Sequence, residues 1–243
     1  MIFLQNTRNN MKKFLIFGHQ DSGVHEGCSF EELGNLALPS KTEYCEAHGY
    51  DYYLQKKDFD YSKRIGWVKI KILIEKIKEN KWDWILYLDV DTMICNHTIR
   101  LETLIDDNYD VVIARNFNSE NSNPNHYEVN CGVILVKCSE WSLKFFENLY
   151  KKTEFHKHVW AEQAAMIDEL NNKSETRSHF KFVAHRYFNS SFHQWYPEWN
   201  FQQGDFICHA AGSSNNFRYK LFTELKEKII KAEKVNFKTI PFV

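Results

Sequence analysis

Glycine and proline are scarce in this chain. With 9 Gly and 4 Pro in 243 residues, the two together make up about 5% of the sequence against roughly 12% in average usage, which excludes collagen-like, linker-rich and low-complexity readings. There is no excess of charge either. Against 32 Asp+Glu stand 31 Lys+Arg, a formal net charge of -1, so bulk electrostatics offers nothing to a nucleic acid or an anionic membrane surface. The longest unbroken apolar run, Trp84–Leu88, is far short of the roughly 20 residues that a membrane-spanning helix needs.

Six cysteines stand at positions 28, 45, 95, 131, 138 and 208 with no CxxC pair. That pattern excludes a zinc ribbon or small disulfide scaffold and points to reduced, buried thiols. Residues 1–10 hold too short an apolar stretch, and no small-residue cleavage site, for a signal peptide. They read as an extension, residues 11–243 as one domain, and the chain as soluble and cytoplasmic. A domain of this size buries roughly 70–75% of its unfolded surface. Aromatic side chains are what the chain has in excess, at 16% of residues, to be divided between that core and a surface that uses flat rings.

Strand and helix patterns alternate along the chain. Phe14–Phe17 suits a first buried strand, Ser29-Phe30-Glu31-Glu32 forms a capping box before a helix, and Gly49 is placed to close it. Asp51–Gln55 reads as a second strand, and Trp67, Ile70, Ile74 and Ile77 recur at helical spacing. Trp84–Leu88 is apolar on both faces, as a strand in a sheet covered by helices on each side must be. Asp110–Ala114 and Cys131–Val136 supply further strands, and helices are predicted over about 140–151, 159–171 and 217–234. This order argues for the α/β class, a Rossmann-like, mostly parallel sheet flanked by helices in a single domain.

Ligands of such sheets bind at the carboxyl ends of strands. Directly after Trp84–Leu88 comes Asp89-Val90-Asp91, two carboxylates able to turn toward one divalent cation, with hard oxygens that suit Mg²⁺ or Mn²⁺. Asp pairs at strand ends also cap helices or face water; a fully apolar strand in front raises the metal reading above that alternative. Two enzyme classes use the placement. A haloacid-dehalogenase-like phosphatase carries DxDxT after a strand, but Thr92 is one residue out of register and the pair lies third in strand order. A nucleotide-sugar transferase uses the carboxylates to hold a metal that neutralises the donor diphosphate.

The wider pattern is more specific. Thr42-Glu43-Tyr44-Cys45-Glu46-Ala47-His48-Gly49-Tyr50, Trp67-Val68-Lys69, Asp89-Val90-Asp91, Asn130-Cys131-Gly132-Val133-Ile134-Leu135, Ser139-Glu140-Trp141-Ser142-Leu143, Glu162-Gln163-Ala164-Ala165-Met166 and His209-Ala210-Ala211-Gly212 occur in order. With Gly18-His19-Gln20 after the first strand, this set, covering roughly residues 14–215, resembles glycosyltransferase family 34. The resemblance implies a GT-A fold, a UDP-sugar donor, a glycan acceptor, Mn²⁺ (Mg²⁺ possible) and transfer of galactose or xylose with retention of configuration. It implies metal ligation by Asp89, Asp91 and His209. Donor contacts are implied for Gly18, Gln20, Lys69, Asp89, Val90, Asn130, Gly132 and Gly212, and catalytic positions for Gln163 and Glu162. Without the family, His209 is one of 11 histidines, and Glu162 and Gln163 are polar residues at a helix start.

Two departures stand out. Ala161 occupies a position where plant members carry an acid, which puts the donor sugar in question. The lysine that often follows His-x-x-Gly and holds the diphosphate is absent: Ser213, Ser214, Asn215 and Asn216 stand there, with Arg218 and Lys220 as candidate substitutes. An inactive carbohydrate-binding relative is the non-enzymatic alternative. Between Phe188 and Phe206 lie His193, Trp195, Tyr196 and Trp199, rings able to bury the apolar faces of an acceptor sugar; a cluster packed under a loop is the competing reading.

Overall fold

The computed structural model describes residues 12–21, 24–25, 28–57, 59–115, 126–192 and 197–232; the extension 1–10 and the predicted acceptor residues His193, Trp195 and Tyr196 lie outside them. The elements in chain order are β1 (Phe14–His19), β2 (Val24–His25), β3 (Cys28–Ser29), α1 (Phe30–His48), β4 (Asp51–Gln55), α2 (Trp67–Lys78), β5 (Trp84–Leu88), β6 (Thr92–Ile94), β7 (Val111–Arg115), β8 (Val129–Lys137), α3 (Glu140–Tyr150), α4 (Ala161–Asn172), α5 (Ser174–Ser178), β9 (Phe180–Val183), α6 (His185–Phe188), β10 (Ile207–His209) and α7 (Asn215–Leu225).

Six strands form one sheet in the order β4-β1-β5-β8-β7-β9. β1 runs parallel to β4 and β5, β9 runs parallel to β7, and β8 alone is reversed between β5 and β7. The pleat sends alternate residues to opposite faces. Leu15, Phe17, Ile85, Tyr87, Val111 and Ile113 meet Trp67, Ile70 and Leu73 of α2, Phe146 of α3 and Met166 of α4. Phe14, Ile16, Trp84, Leu86 and Leu88 meet Tyr44 and Cys45 of α1 on the other face. Burial on both sides is why β5 carries no polar residue. The chain therefore leaves β1 by α1 on one face toward β4, and returns by α2 on the opposite face to β5. That reversal puts a topological switch point between β1 and β5, where open α/β sheets bind ligands.

A second, two-stranded sheet pairs β6 with β10, antiparallel, with His209 opposite Thr92. Met93, Cys95, Cys208 and Ala210 of this unit pack against Leu33 and Ala37 of α1 and Phe222 of α7, with Phe192 and Phe201 against the same cluster. Of the aromatic stretch expected to form a platform, those two rings belong to packing. Cys45, Cys95, Cys131, Cys138 and Cys208 are free thiols, and all but Cys138 are buried.

Two boundaries differ from expectation. Helix α4 starts at Ala161 rather than 159, because Ala161 takes φ +45°, outside the helical region. Helix α7 ends at Leu225 rather than near 234. Beyond it Ile230 donates its N–H to Cys95 and accepts from the His97 N–H, and pairing with the end of β6 replaces further helix.

Under this edge His97 is buried, its Nε2 without a hydrogen-bond partner among the described residues. Burial lowers its pKa from 6.5 to about 4, and burial lowers that of His48 as well. The unfolded chain protonates first as pH falls, so the stability held by neutral His97 is full above about pH 6.5 and is lost as pH falls toward 4. We expect His97 to contribute about 1–2 kcal/mol to the loss of stability between pH 7 and pH 5. Urea unfolding at both values checks this, with a shallower pH slope expected for His97→Gln.

Candidate active site

Three of the predicted residues converge where β5 ends. The ligand-capable atoms of Asp89, Asp91 and His209 lie within 4.8 Å of one another. His209 Nε2 is 3.4 Å from Asp91 Oδ1 and 3.9 Å from Asp89 Oδ2. The β6–β10 pairing brings them together: Asp91 immediately precedes β6, His209 ends β10, and Ala210 N–H donates to Asp91 O at 2.9 Å. The turn between the two aspartates is held by Thr92, whose hydroxyl donates to Asp89 O at 2.6 Å.

A hydrogen-bonded chain sets the tautomer of His209. Gly132 N–H donates to Asn130 Oδ1 at 2.9 Å, which identifies that atom as the oxygen. Asn189 Nδ2 donates to the same oxygen at 3.0 Å, so Asn189 Oδ1 is left to accept from His209 Nδ1 at 2.9 Å. With the proton on Nδ1, the Nε2 lone pair faces two carboxylates. That arrangement is repulsive until a proton or a cation lies between them, and two hard oxygens with one imidazole nitrogen form a donor set for a divalent ion, more acceptable to Mn²⁺ than to Mg²⁺. Gly132 is required by space: a Cβ there would overlap His209 Cε1 and lie 2.8 Å from Asp89 Oδ2.

The carboxylates are ringed by cations. Buried Lys69, on α2, lies 3.2 Å from Asp89 Oδ1 and 2.7 Å from Glu162 Oε1, and donates to Cys131 O at 2.8 Å. Burial depresses its pKa, but Asp89 and Glu162 outweigh burial and raise it. Arg218 Nη2 lies 2.9 Å from Asp91 Oδ2. Burial raises the Asp91 carboxyl, yet the Arg218 guanidinium beside it holds it below the usual carboxylate range. Asp89 is likewise lowered, burial being outweighed by Lys69, and Tyr87 OH donates to it. Lys41 donates to Asp89 O at 2.9 Å, and burial brings its pKa down to about 8.

This floor opens into a cleft of about 290 Å³ whose lining includes His19, Phe30, Lys69, Val90, Trp160 and Arg218, besides Asp89, Asp91 and Glu162. Lys69, Val90 and Glu162 thus join the predicted metal ligands. Other predicted residues sit elsewhere. Gln20 is buried and donates to Glu31 O at 2.8 Å, tying the end of β1 to α1. A Cβ on Gly18 would meet Leu88 O at 3.0 Å, so this glycine lets β1 and β5 approach. Asn130 serves the hydrogen-bonded chain. Gln163 Oε1 accepts from Cys131 N–H at 3.0 Å, so the carbonyl that would face a developing positive charge is already engaged, leaving the amide NH₂ to offer. Gly212 takes φ +65° in the loop before α7. Trp199 stacks on His185 with ring centroids 4.4 Å apart, away from the cleft. The exposed ring on the cleft is instead Trp160.

Asn189, Trp160 and Tyr87 were not singled out from sequence. Tyr87 lies two residues before Asp89 on a strand and hence on the same face, a signal available in principle; nothing local marks Asn189.

Comparison with known proteins gives two family models, sequence relatives and structural neighbours. The galactosyl transferase GMA12/MNN10 family matches residues 121–220, and a family described as protein of unknown function, DUF273, matches residues 42–169, more than half of the chain. The chain belongs to the DUF273 family and is similar to the galactosyl transferase family over residues 121–220. An uncharacterized alpha-1,2-galactosyltransferase of Schizosaccharomyces pombe is 26% identical, over 74% of this chain and 63% of its own length. The probable alpha-1,6-mannosyltransferase MNN10 of Saccharomyces cerevisiae is 26% identical, over 65% of this chain and 48% of its own. The chain thus spans about half to two thirds of these relatives' length. The fold is that of GT-A glycosyltransferases. A crystallised glycosyltransferase involved in glycosylation of the major capsid of PBCV-1 superposes with a TM-score of 0.68 at 16% identity, covering 87% of this chain and 99% of that one. The galactosyltransferase LgtC, crystallised with donor and acceptor sugar analogs, gives 0.50 at 14% identity, covering 93% and 100%. Among the described residues no helix is long and apolar enough to cross a membrane.

Proposed function

We propose that this chain is a metal-dependent glycosyltransferase that moves a hexose or pentose, galactose or xylose first, from a UDP-sugar to a glycan hydroxyl with retention of configuration. The observation that carries this reading is the set of half-buried Asp89 with buried Asp91 and His209 at the switch point, the His209 lone pair turned toward the carboxylates. A divalent cation held there, Mn²⁺ ahead of Mg²⁺, would offset the charge of the departing diphosphate. Lys69 holds Asp89 in place and presents positive charge to the cleft. Glu162 orients Lys69 rather than acting as a free base, since its carboxylate is paired at 2.7 Å. Gln163, whose Oε1 holds the Cys131 N–H, would meet the donor sugar only through its amide NH₂. Trp160 supplies a flat apolar face for an acceptor ring.

The acids that line the metal end of the cleft, Asp89, Asp91 and Glu162, are each held in an ion pair, which disfavours any of them as a covalent nucleophile. That supports attack by the acceptor hydroxyl on the face from which the diphosphate departs, its proton passing to a departing phosphate oxygen. The same pairing counts against the phosphatase alternative, in which Asp89 would attack.

The test is release of nucleoside diphosphate from UDP-galactose, UDP-xylose, UDP-glucose and GDP-mannose across a panel of glycan acceptors, with Mn²⁺, Mg²⁺ or EDTA. The expected outcome is UDP release that needs the metal, is lost in Asp91→Asn, and yields an α-linked product by NMR. Hydrolysis of a phosphate ester without UDP release would overturn the reading. UDP-sugar binding without turnover on any acceptor would overturn it in favour of the inactive relative.

A further inference from the structure

The metal end of the cleft is charge-balanced before any ligand arrives. Asp89, Asp91 and Glu162 are matched by Lys69, Arg218 and Lys41, all six within the ion pairs and hydrogen bonds already described; half-buried Asp21 lies at the mouth. A bare divalent cation would add two uncompensated positive charges to a buried site, and a bare diphosphate would add uncompensated negative charge. Either is costly in a low-dielectric cleft, and the two together are not.

Arg218 is the residue through which this balance acts. Its guanidinium is fixed by donation from Nε to Ala210 O at 3.1 Å and from Nη1 to Asn215 Oδ1 at 2.9 Å, while Nη2 holds Asp91 Oδ2 at 2.9 Å. Of the five guanidinium N–H groups, two have no partner among the described residues, and Arg218 lines the cleft. The side chain thus both occupies a carboxylate oxygen of the metal set and offers unused donors of the kind that match phosphate oxygens.

We propose that Arg218 is a latch coupling metal and diphosphate: it holds Asp91 when the cleft is empty, disfavouring the metal alone, and turns its donors to the diphosphate when the two ligands enter together. The proposal rests on the UDP-sugar reading above and adds a positioning residue to it. It also accounts for the missing lysine after His-x-x-Gly, since the cation arrives one helical turn into α7 instead.

Isothermal titration of the full chain tests it, with Mn²⁺ alone, UDP alone and UDP in saturating Mn²⁺, for wild type, Arg218→Ala and Arg218→Lys. In Arg218→Ala, Mn²⁺ alone should bind about tenfold more tightly because Asp91 is released, and UDP with Mn²⁺ about tenfold more weakly because a charge-assisted bond is lost. Arg218→Lys keeps the charge without the fork and should fall between the two. A purely structural role predicts weaker Mn²⁺ binding in both variants, and that result would sink the latch. UDP binding whose dependence on Mn²⁺ is unchanged in Arg218→Ala overturns the coupling alone. Failure of the wild type to bind UDP even with Mn²⁺ overturns the donor reading and the coupling with it. Near-UV circular dichroism establishes that each variant is folded.

Discussion

Gly132→Ala is expected to lower kcat/KM for transfer by about 10²-fold or more while leaving the protein folded. The new methyl would overlap His209 Cε1 and lie 2.7 Å from Nδ1 and 2.8 Å from Asp89 Oδ2. These atoms belong to the metal set itself, so either the ring tilts out of reach of the carboxylates or β8 shifts away from β5. The ring is the softer element, because Asp89 N–H donates to Gly132 O at 2.8 Å and β8 is paired on both sides. The main effect should therefore fall on metal affinity, read by Mn²⁺ titration, with a small change in melting temperature. Wild-type Mn²⁺ affinity in this variant would show that His209 is not a ligand.

Lys69→Met should cost about 3–5 kcal/mol of stability, the range for removing one partner of a buried ion pair. Lys69 is buried and stands between Asp89 and Glu162, with its ammonium 4.5 Å from the centre of the Tyr87 ring. Methionine fills much of the volume but leaves two acids facing each other without a cation. Urea denaturation measures the loss. Adding Glu162→Gln should restore part of it, and the non-additivity gives the coupling energy of the pair. If the single variant loses less than about 1 kcal/mol, the usual scale for exposed pairs, then Lys69 is not the compensating charge described here.

Much of the fold was legible because its determinants are local and periodic. Trp84–Leu88 had to be a buried central strand, since five consecutive apolar residues suit a position covered on both faces, and Gly49 closed α1 where its φ of +72° requires glycine. The reversed strand β8 was not legible: Cys131–Val136 reads the same in either direction, and only the neighbours it finds decide its orientation. Asp89 and Asp91 were visible as a pair at a strand end, whereas the His209 environment depends on Asn189 and Asn130, 59 residues apart and joined by one hydrogen bond. Of the aromatic loop, Phe192 and Phe201 pack inward and Trp199 is stacked on His185, while His193, Trp195 and Tyr196 lie outside the described residues. The exposed ring on the cleft, Trp160, comes from a segment whose pattern looked like helix until Ala161 was seen in the left-handed region.

All six strands of the main sheet lie before residue 184, and β10 adds nothing to it. During synthesis the N-terminal parts of a chain are available to fold first, so the sheet, β5 and both aspartates are made well before His209. A nascent chain thus carries two of the three candidate ligands before Phe188, Phe206 and Ile207 cover the second face of the sheet, and the third closes the set only when β10 finds β6. The candidate metal set is in this sense the last thing the chain assembles, and a lesion at β10 would remove His209 from it while leaving both aspartates on β5 and its following turn.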